Sequence, residues 1–121
     1  MNTQSETIIG IDVSQSHLDV CVFPNETYLS FQNDTAGIKQ AIKFIKPLKP
    51  TRIILEATGR LELAFFCTAD KAKLPVCICS PSNIRNFAKA KGRIAKTDKL
   101  DSLDIAHYGA VMQPQLTQIK P

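Results

Sequence analysis

The chain has 121 residues, of which 44% are hydrophobic and 21% are charged, and this composition favours one folded domain over a disordered segment. Acidic residues such as Glu56, Glu62 and Asp70 interrupt the most apolar region, so no stretch reaches the roughly 18 to 20 residues of a membrane span. The start, MNTQSETIIG, lacks the basic and apolar regions of a secretory signal. These features exclude a transmembrane protein and predict a cytoplasmic one.

The net charge is +4, and its excess lies in the second half of the chain, because residues 61–121 hold nine basic and five acidic side chains, against six of each before them. Most of this excess falls in one basic segment, which consists of Arg85, Lys89, Lys91, Arg93, Lys96 and Lys99. A solvent-exposed helix and loop is the usual fate of such a run. Because this one leads directly into an acidic helix start, we favour contact with a DNA or RNA backbone.

The first third of the chain predicts three antiparallel strands. Residues 7–13 (TIIGIDV) form a short, apolar, β-rich run, and after the polar turn SQS the alternating run HLDVCVF follows at residues 17–23. Pro24 and Asn25 make a second turn before a third alternating run, ETYLSFQ, at residues 26–32. These three runs predict a meander that opens the domain.

Helices and strands alternate after the meander. The predicted elements are a helix over residues 36–45, a strand over 52–55 ending at Glu56, a helix over about 61–73, a strand over 75–79, a helix from Ser82 and a last helix from near Asp98 to close to Pro114. Crossover helices make the later strands parallel. The pattern therefore predicts an α/β fold of ribonuclease H-like type: a mixed five-stranded sheet with three antiparallel leading strands and flanking helices.

The four cysteines are spaced 46, 10 and 2 residues apart, as Cys21, Cys67, Cys77 and Cys79. This spacing matches neither a paired zinc-binding motif nor a small disulfide scaffold. We expect reduced, mostly buried thiols that act as small core hydrophobes.

Two carboxylates stand in or next to strongly apolar strands. Asp12 lies between Ile11 and Val13, where an acid is costly unless its charge is compensated, and Glu56 ends the run IILE just before ATG. Ligands of open α/β sheets collect at the carboxyl ends of such strands. The alternatives are a turn-capping role for Asp12 and a solvent-facing side chain for Glu56.

A third acidic cluster, TDKLDSLD, spaces Asp98, Asp101 and Asp104 three residues apart at a helix start, so that neighbours in the series share a face. Local stability is a sufficient alternative explanation, because Thr97 or Asp98 is a good helix N-cap and the helix dipole favours acids in the first turn.

The predicted topology brings these three acidic elements to one edge of the sheet. Carboxylates that lie close together raise each other's pKa, unless a divalent cation neutralises them. Ligation by oxygen alone suits Mg²⁺ or Mn²⁺, and two such ions about 3.5 to 4 Å apart can support phosphodiester cleavage. The basic segment would hold the nucleic-acid backbone beside this site.

Three segments in this order, GIDVSQSHLDV, ILEATG and PSNIRNFAKAKGRIAKTDKLDSLDIAHYGA, resemble the N-terminal domain of the DEDD transposases, the insertion-sequence-110 group that includes the Piv-type DNA invertases. The resemblance runs from about Ile8 to Ala110. It implies a fold similar to the RuvC Holliday-junction resolvase and four acids that bind Mg²⁺ or Mn²⁺ for DNA strand cleavage and exchange. Position by position, these catalytic, metal-binding acids fall on Asp12, Glu56, Asp98 and Asp101. Asp104 is an extra acid that could substitute for a neighbour.

The sequence departs from the family at Gln15, where a lysine is common, and at Leu61, where an aromatic residue is frequent. Full members also carry a helical region and a C-terminal domain with a nucleophilic serine. The resemblance therefore implies that residues 1–121 form a single RuvC-like catalytic domain without that serine domain. The partners it implies are DNA, a structured guide RNA in the full-length protein and further copies of the chain, with no membrane.

Alternative functions remain at this point. The chain could be a nucleic-acid-binding fragment without chemistry, or a stand-alone RuvC-like junction nuclease, although the EATG and KTD segments favour a transposase. Sugar kinases and actin-like ATPases also open with an aspartate on a strand, but their phosphate loops are rich in glycine and SQSHL contains none.

Overall fold

The computed structural model describes residues 6–92 and 101–117. Within these residues five strands form one sheet in the order β3-β2-β1-β4-β5. The strands are β1 (Ile8–Val13), β2 (His17–Phe23), β3 (Thr27–Gln32), β4 (Arg52–Glu56) and β5 (Val76–Cys79). The first three are antiparallel, whereas β1, β4 and β5 are parallel, so the predicted mixed sheet is confirmed.

The helices cover both faces of the sheet. They are α1 (Thr35–Ile45), continued by a 3₁₀ turn at Lys46–Leu48, α2 (Leu63–Lys71), α3 (Pro81–Ala90) and α4 (Ser102–Met112). None of the described helices is long and apolar enough to cross a membrane.

Alternation along the strands divides the core into two clusters. Ile9 and Ile11 of β1 belong to the cluster that includes residues of α1 and α2, and Ile8 belongs to the one that includes residues of α3 and α4. Since successive side chains of a strand point to opposite faces, Asp12 shares the second face with Ile8. Glu56 shares it with Ile54 by the same argument.

Helix α4 packs directly on β1 at Gly10. A Cβ atom at this position would collide with the backbone of Ser102 and Ala106. Glycine therefore permits a close approach of helix and strand two residues before Asp12. This approach places the start of α4 near the end of β1 that carries Asp12.

The bounds of two helices differ from prediction by two residues or more. Helix α4 was expected to begin near Asp98, but Asp101 has extended dihedral angles (φ −100°, ψ 176°) and caps a helix that begins at Ser102. The prediction was wrong because Thr97, Asp98 and Asp101 are all plausible caps, and local sequence does not choose among them. Helix α2 is shorter than predicted because a turn through Gly59 and Arg60, both with positive φ, precedes it and Lys73, also with positive φ, follows it.

Candidate metal and nucleic-acid site

Asp12 and Glu56 lie side by side at the carboxyl ends of neighbouring strands. Ile11 is in register with Leu55, so the next residue on each parallel strand is one of these two acids. Both are half-buried. Burial raises the pKa of Glu56, and the charge of Asp12 raises it further. A cation bound at the two carboxylates would relieve this repulsion.

Arg85, on α3, lies close enough to Glu56 for its charge to act on that carboxyl group. That helix begins just after β5, whose Cys79 is in register with Glu56, and Ser80 caps it by accepting a hydrogen bond from the amide of Ser82. Arg85 is exposed, and its positive charge partly offsets the rise in the pKa of Glu56. One member of the basic segment thus lies close enough to act on a proposed ligand.

The turn that follows Glu56 is closed by a second, buried glutamate. Glu62 is only 6% exposed, and its Oε1 accepts hydrogen bonds from the Thr58 amide at 3.0 Å and the Thr58 hydroxyl at 3.2 Å. The sequence did not single out this residue, because a glutamate directly before a helix is usually exposed. Its role is to hold the backbone that carries Glu56.

Asp101 caps α4 and lies towards the β2–β3 side of the sheet. Its Oδ1 accepts a hydrogen bond from the Asp104 amide at 2.9 Å. Burial raises the pKa of Cys21 to about 11, and the nearby charge of Asp101 contributes to this rise. Within residues 6–92 and 101–117, no three His, Cys, Asp or Glu side chains form a group that could hold a metal ion. Asp98 lies outside the described residues.

Asp104 does not belong to the Asp12 and Glu56 pair but forms a cluster with Lys91 and His107. Its carboxylate is 1% exposed and lies 3.3 Å from the ammonium of Lys91, which also donates to Nδ1 of His107 at 2.7 Å. Burial lowers the pKa of His107 and the Lys91 charge lowers it further, which favours a neutral imidazole that accepts this bond. The His107 ring also packs inside the protein, where it stacks on Phe23 with a centroid distance of 5.4 Å.

Half of the basic segment is described. Arg85 and Lys89 are exposed on α3, and Lys91 caps its C-terminal end. The other members lie outside the described residues: Arg93, Lys96 and Lys99.

Asp19 is an acid near the pair that sequence analysis also missed. It lies directly opposite Asp12 in the β1–β2 ladder, and its Oδ1 accepts a hydrogen bond from the Ser30 hydroxyl at 2.8 Å. The signal was the short hairpin, whose register places the two aspartates symmetrically about the turn. Asp19 is exposed and bound to β3, which distinguishes it from the half-buried pair.

The chemistry of Asp12 and Glu56 fits a hard divalent cation. Mg²⁺ typically keeps several waters and uses only one or two carboxylates of the protein, and these two acids supply that number on fixed strands. A bound cation would also relieve the repulsion that contributes to the raised pKa of Glu56.

Comparison with known proteins gives a family and two relatives. The model of a transposase family, the DEDD group of insertion sequence 110, matches residues 9–121. Pilin gene-inverting proteins of Moraxella bovis and Moraxella lacunata are each 33% identical over 124 residues, which cover 96% of this chain. The chain spans 38% of the length of these relatives.

Two solved structures of RuvC from Thermus thermophilus share the fold. One, in complex with a Holliday junction substrate, superposes with a TM-score of 0.62 at 14% identity and covers 89% of this chain and 96% of that one. The other superposes with a TM-score of 0.59 at 12% identity and covers 92% and 99%. The RuvC-like fold expected from the sequence is confirmed.

Proposed function

The chain belongs to the DEDD transposase family of the insertion-sequence-110 group, and from this premise we propose that it is the catalytic domain of a transposase. In this proposal it cleaves and exchanges DNA strands with the help of Mg²⁺ or Mn²⁺. The observation that carries the proposal is the pair formed by Asp12 and Glu56, two half-buried acids side by side at the carboxyl ends of parallel strands.

The proposed site assigns a distinct role to each side chain. Asp12 and Glu56 hold the cation, and Asp98 and Asp101 complete the set of four acids that the family pattern indicates. The cation, when bound, activates water and stabilises the leaving oxygen of a phosphodiester. Glu62 keeps the Glu56 turn in one conformation through its two hydrogen bonds to Thr58.

The basic residues of α3 bind the substrate in this proposal. The charge of Arg85 acts on Glu56, so we propose that its guanidinium holds a phosphate near the cation and that the exposed Lys89 contacts the nucleic-acid backbone one helical turn further along. Arg93, Lys96 and Lys99 are proposed to extend this contact. A solved RuvC bound to a Holliday junction substrate supports DNA as the partner.

The whole protein is proposed to need more than this domain, since the chain spans 38% of the length of its relatives. We include a guide RNA, a homo-oligomer and a C-terminal serine-bearing domain in the proposal for the full-length transposase. Its site of action would be the cytoplasm, where bacterial DNA lies.

The test is strand cleavage by the 121-residue chain. Supercoiled plasmid and a four-way junction are incubated with Mn²⁺ or Mg²⁺, and nicked products are quantified. We expect cleavage by the native chain, a loss of at least about 100-fold in Asp12→Asn, and near-native activity in Asp19→Asn. Asp19→Asn is a matched control because it removes the facing acid of the same ladder.

A second candidate function is nucleic-acid binding without chemistry. It is favoured by the absence of a group of three metal-binding residues within residues 6–92 and 101–117. Binding of DNA by both the native chain and Asp12→Asn, with no cleavage by either under any divalent cation, would establish this function and contradict the catalytic one.

A further inference from the structure

The lysine at the end of α3, Lys91, forms contacts within the protein through its ammonium group. The ammonium of Lys91 lies 3.3 Å from the carboxylate of Asp104 and 2.7 Å from Nδ1 of His107. It also lies over the ring of Phe87, 5.2 Å from the centroid. These contacts join the last turn of α3 to the first two turns of α4.

Lys89 is the natural comparison, since it belongs to the same helix and the same basic segment. Both residues are exposed, but the ammonium of Lys91 contacts a carboxylate that is 1% exposed. For Lys91 to reach a DNA phosphate, it would have to leave Asp104 behind in the protein interior. Breaking such a buried pair is strongly unfavourable, so the geometry favours an internal role for Lys91 over a backbone contact.

Lys91 is connected to Asp101 through Asp104. Asp104, which Lys91 holds, donates its amide hydrogen to Oδ1 of Asp101 at the start of α4. One turn further along, the ring of His107 is fixed between Phe23 and Phe87, with centroid distances of 5.4 and 5.2 Å. The cluster therefore contributes, together with the packing of α4 on Gly10, to the rotation of α4 about its axis and the place of its first residue.

We propose that Lys91 is a positioning residue that joins α3 to α4 and so holds Asp101, at the start of α4, for its proposed role as a ligand. This inference rests on the proposed function, in which Asp101 is a ligand. It gives Lys91 a different role from its neighbours in the basic segment, for which contact with the nucleic-acid backbone is proposed.

The experiment compares Lys91→Met, Lys89→Met and the double variant Lys91→Met/Asp104→Asn in the 121-residue chain. Three quantities are measured: the melting temperature, the salt dependence of DNA affinity, and the Mn²⁺ concentration for half-saturation by electron paramagnetic resonance. The double variant removes the acid that Lys91→Met would leave without its ammonium, so it stays folded even if the single variant does not.

We expect Lys89→Met to melt like the native chain. The slope of log DNA affinity against log salt concentration, here called the salt slope, should become shallower by about 0.9, the value for one phosphate contact. Lys91→Met should keep the native salt slope and melt about 10 °C lower or more. The double variant should regain most of that loss, yet need about tenfold more Mn²⁺, as expected when support for a ligand is removed.

Native half-saturation by Mn²⁺ in the folded double variant would overturn the proposal, because a purely structural lysine leaves metal affinity unchanged. A Lys91→Met variant that melts normally and loses salt slope like Lys89→Met would overturn it as well. If the native chain bound neither Mn²⁺ nor DNA, the proposed function itself would fail, and the positioning role would fail with it.

Discussion

Two acidic sites lie on the same side of the sheet and differ in what surrounds each acid. At the strand ends, Glu56 is half-buried beside another acid, Asp12. Under α4, Asp104 is almost fully buried beside the ammonium of Lys91. The first site brings two acids together, and the second is balanced by the charge of Lys91. An acid that lies beside another acid is the better candidate for binding an external cation, because the cation relieves their repulsion.

Replacing Gly10 by alanine should have the largest effect, because it acts on both sites at once. The added Cβ would meet backbone atoms of Ser102 and Ala106, so α4 must move away from β1. We expect a loss of about 3 kcal/mol in the free energy of unfolding, the upper range for overpacking, measured by urea titration. Mn²⁺ affinity should fall too, since α4 carries Asp101.

Gly59→Ala is the matched control for this variant. Gly59 has a φ of +66° and open space around its missing Cβ, so alanine there should cost only about 1 kcal/mol. Equal losses in the two variants would show that α4 does not depend on close contact at Gly10.

Asp104→Asn tests the balanced site and should destabilise the chain by about 2 kcal/mol, through loss of a charge-assisted contact with Lys91. Chemical denaturation of the metal-free chain measures this difference. No loss of stability would show that the fold does not need the Asp104 charge, and the distinction between the two sites would disappear.

Glu56→Gln should have the opposite sign in the metal-free chain. Removing one of two neighbouring negative charges relieves repulsion, and we expect a gain of about 0.5 kcal/mol, kept small because the side chain is partly exposed. The same variant should lose the rise in melting temperature that Mn²⁺ gives the native chain. A variant that is less stable without metal would indicate that Glu56 supports the fold.

The sequence predicted the fold well because its signals are local. Alternating runs defined the strands, and a crossover helix indicated that β1 and β4 are parallel. The structure shows them as neighbours, in a register that places Asp12 next to Glu56. The partners of the other acids could not be predicted. Whether Asp104 meets Lys91 depends on how α3 and α4 pack, and local patterns leave that packing open.

Local patterns also hid two side chains that shape the candidate site. Glu62 stands before a helix like many exposed glutamates, and only the folded turn shows that it binds Thr58. Asp19 faces Asp12 because of the hairpin register, but its hydrogen bond to Ser30 depends on the pairing of β2 with β3. The four-acid assignment of Asp12, Glu56, Asp98 and Asp101 stays a prediction.

The smallest expected effect is an absence of reaction at the strand end beside Glu56. Cys79 is in register with Glu56 and is buried, and burial raises its pKa to about 12. A raised pKa leaves the thiol protonated at pH 8, and the thiolate is the reactive form.

Iodoacetamide should therefore modify the exposed Cys67 of the native chain and spare Cys79. Mass spectrometry of the intact protein and its peptides reads out both, and denatured chain serves as the control for full labelling. Labelling of Cys79 in the native chain would contradict the buried environment to which we attribute the raised pKa of Glu56, whereas faster labelling in Gly10→Ala alone would show that α4 keeps this edge closed.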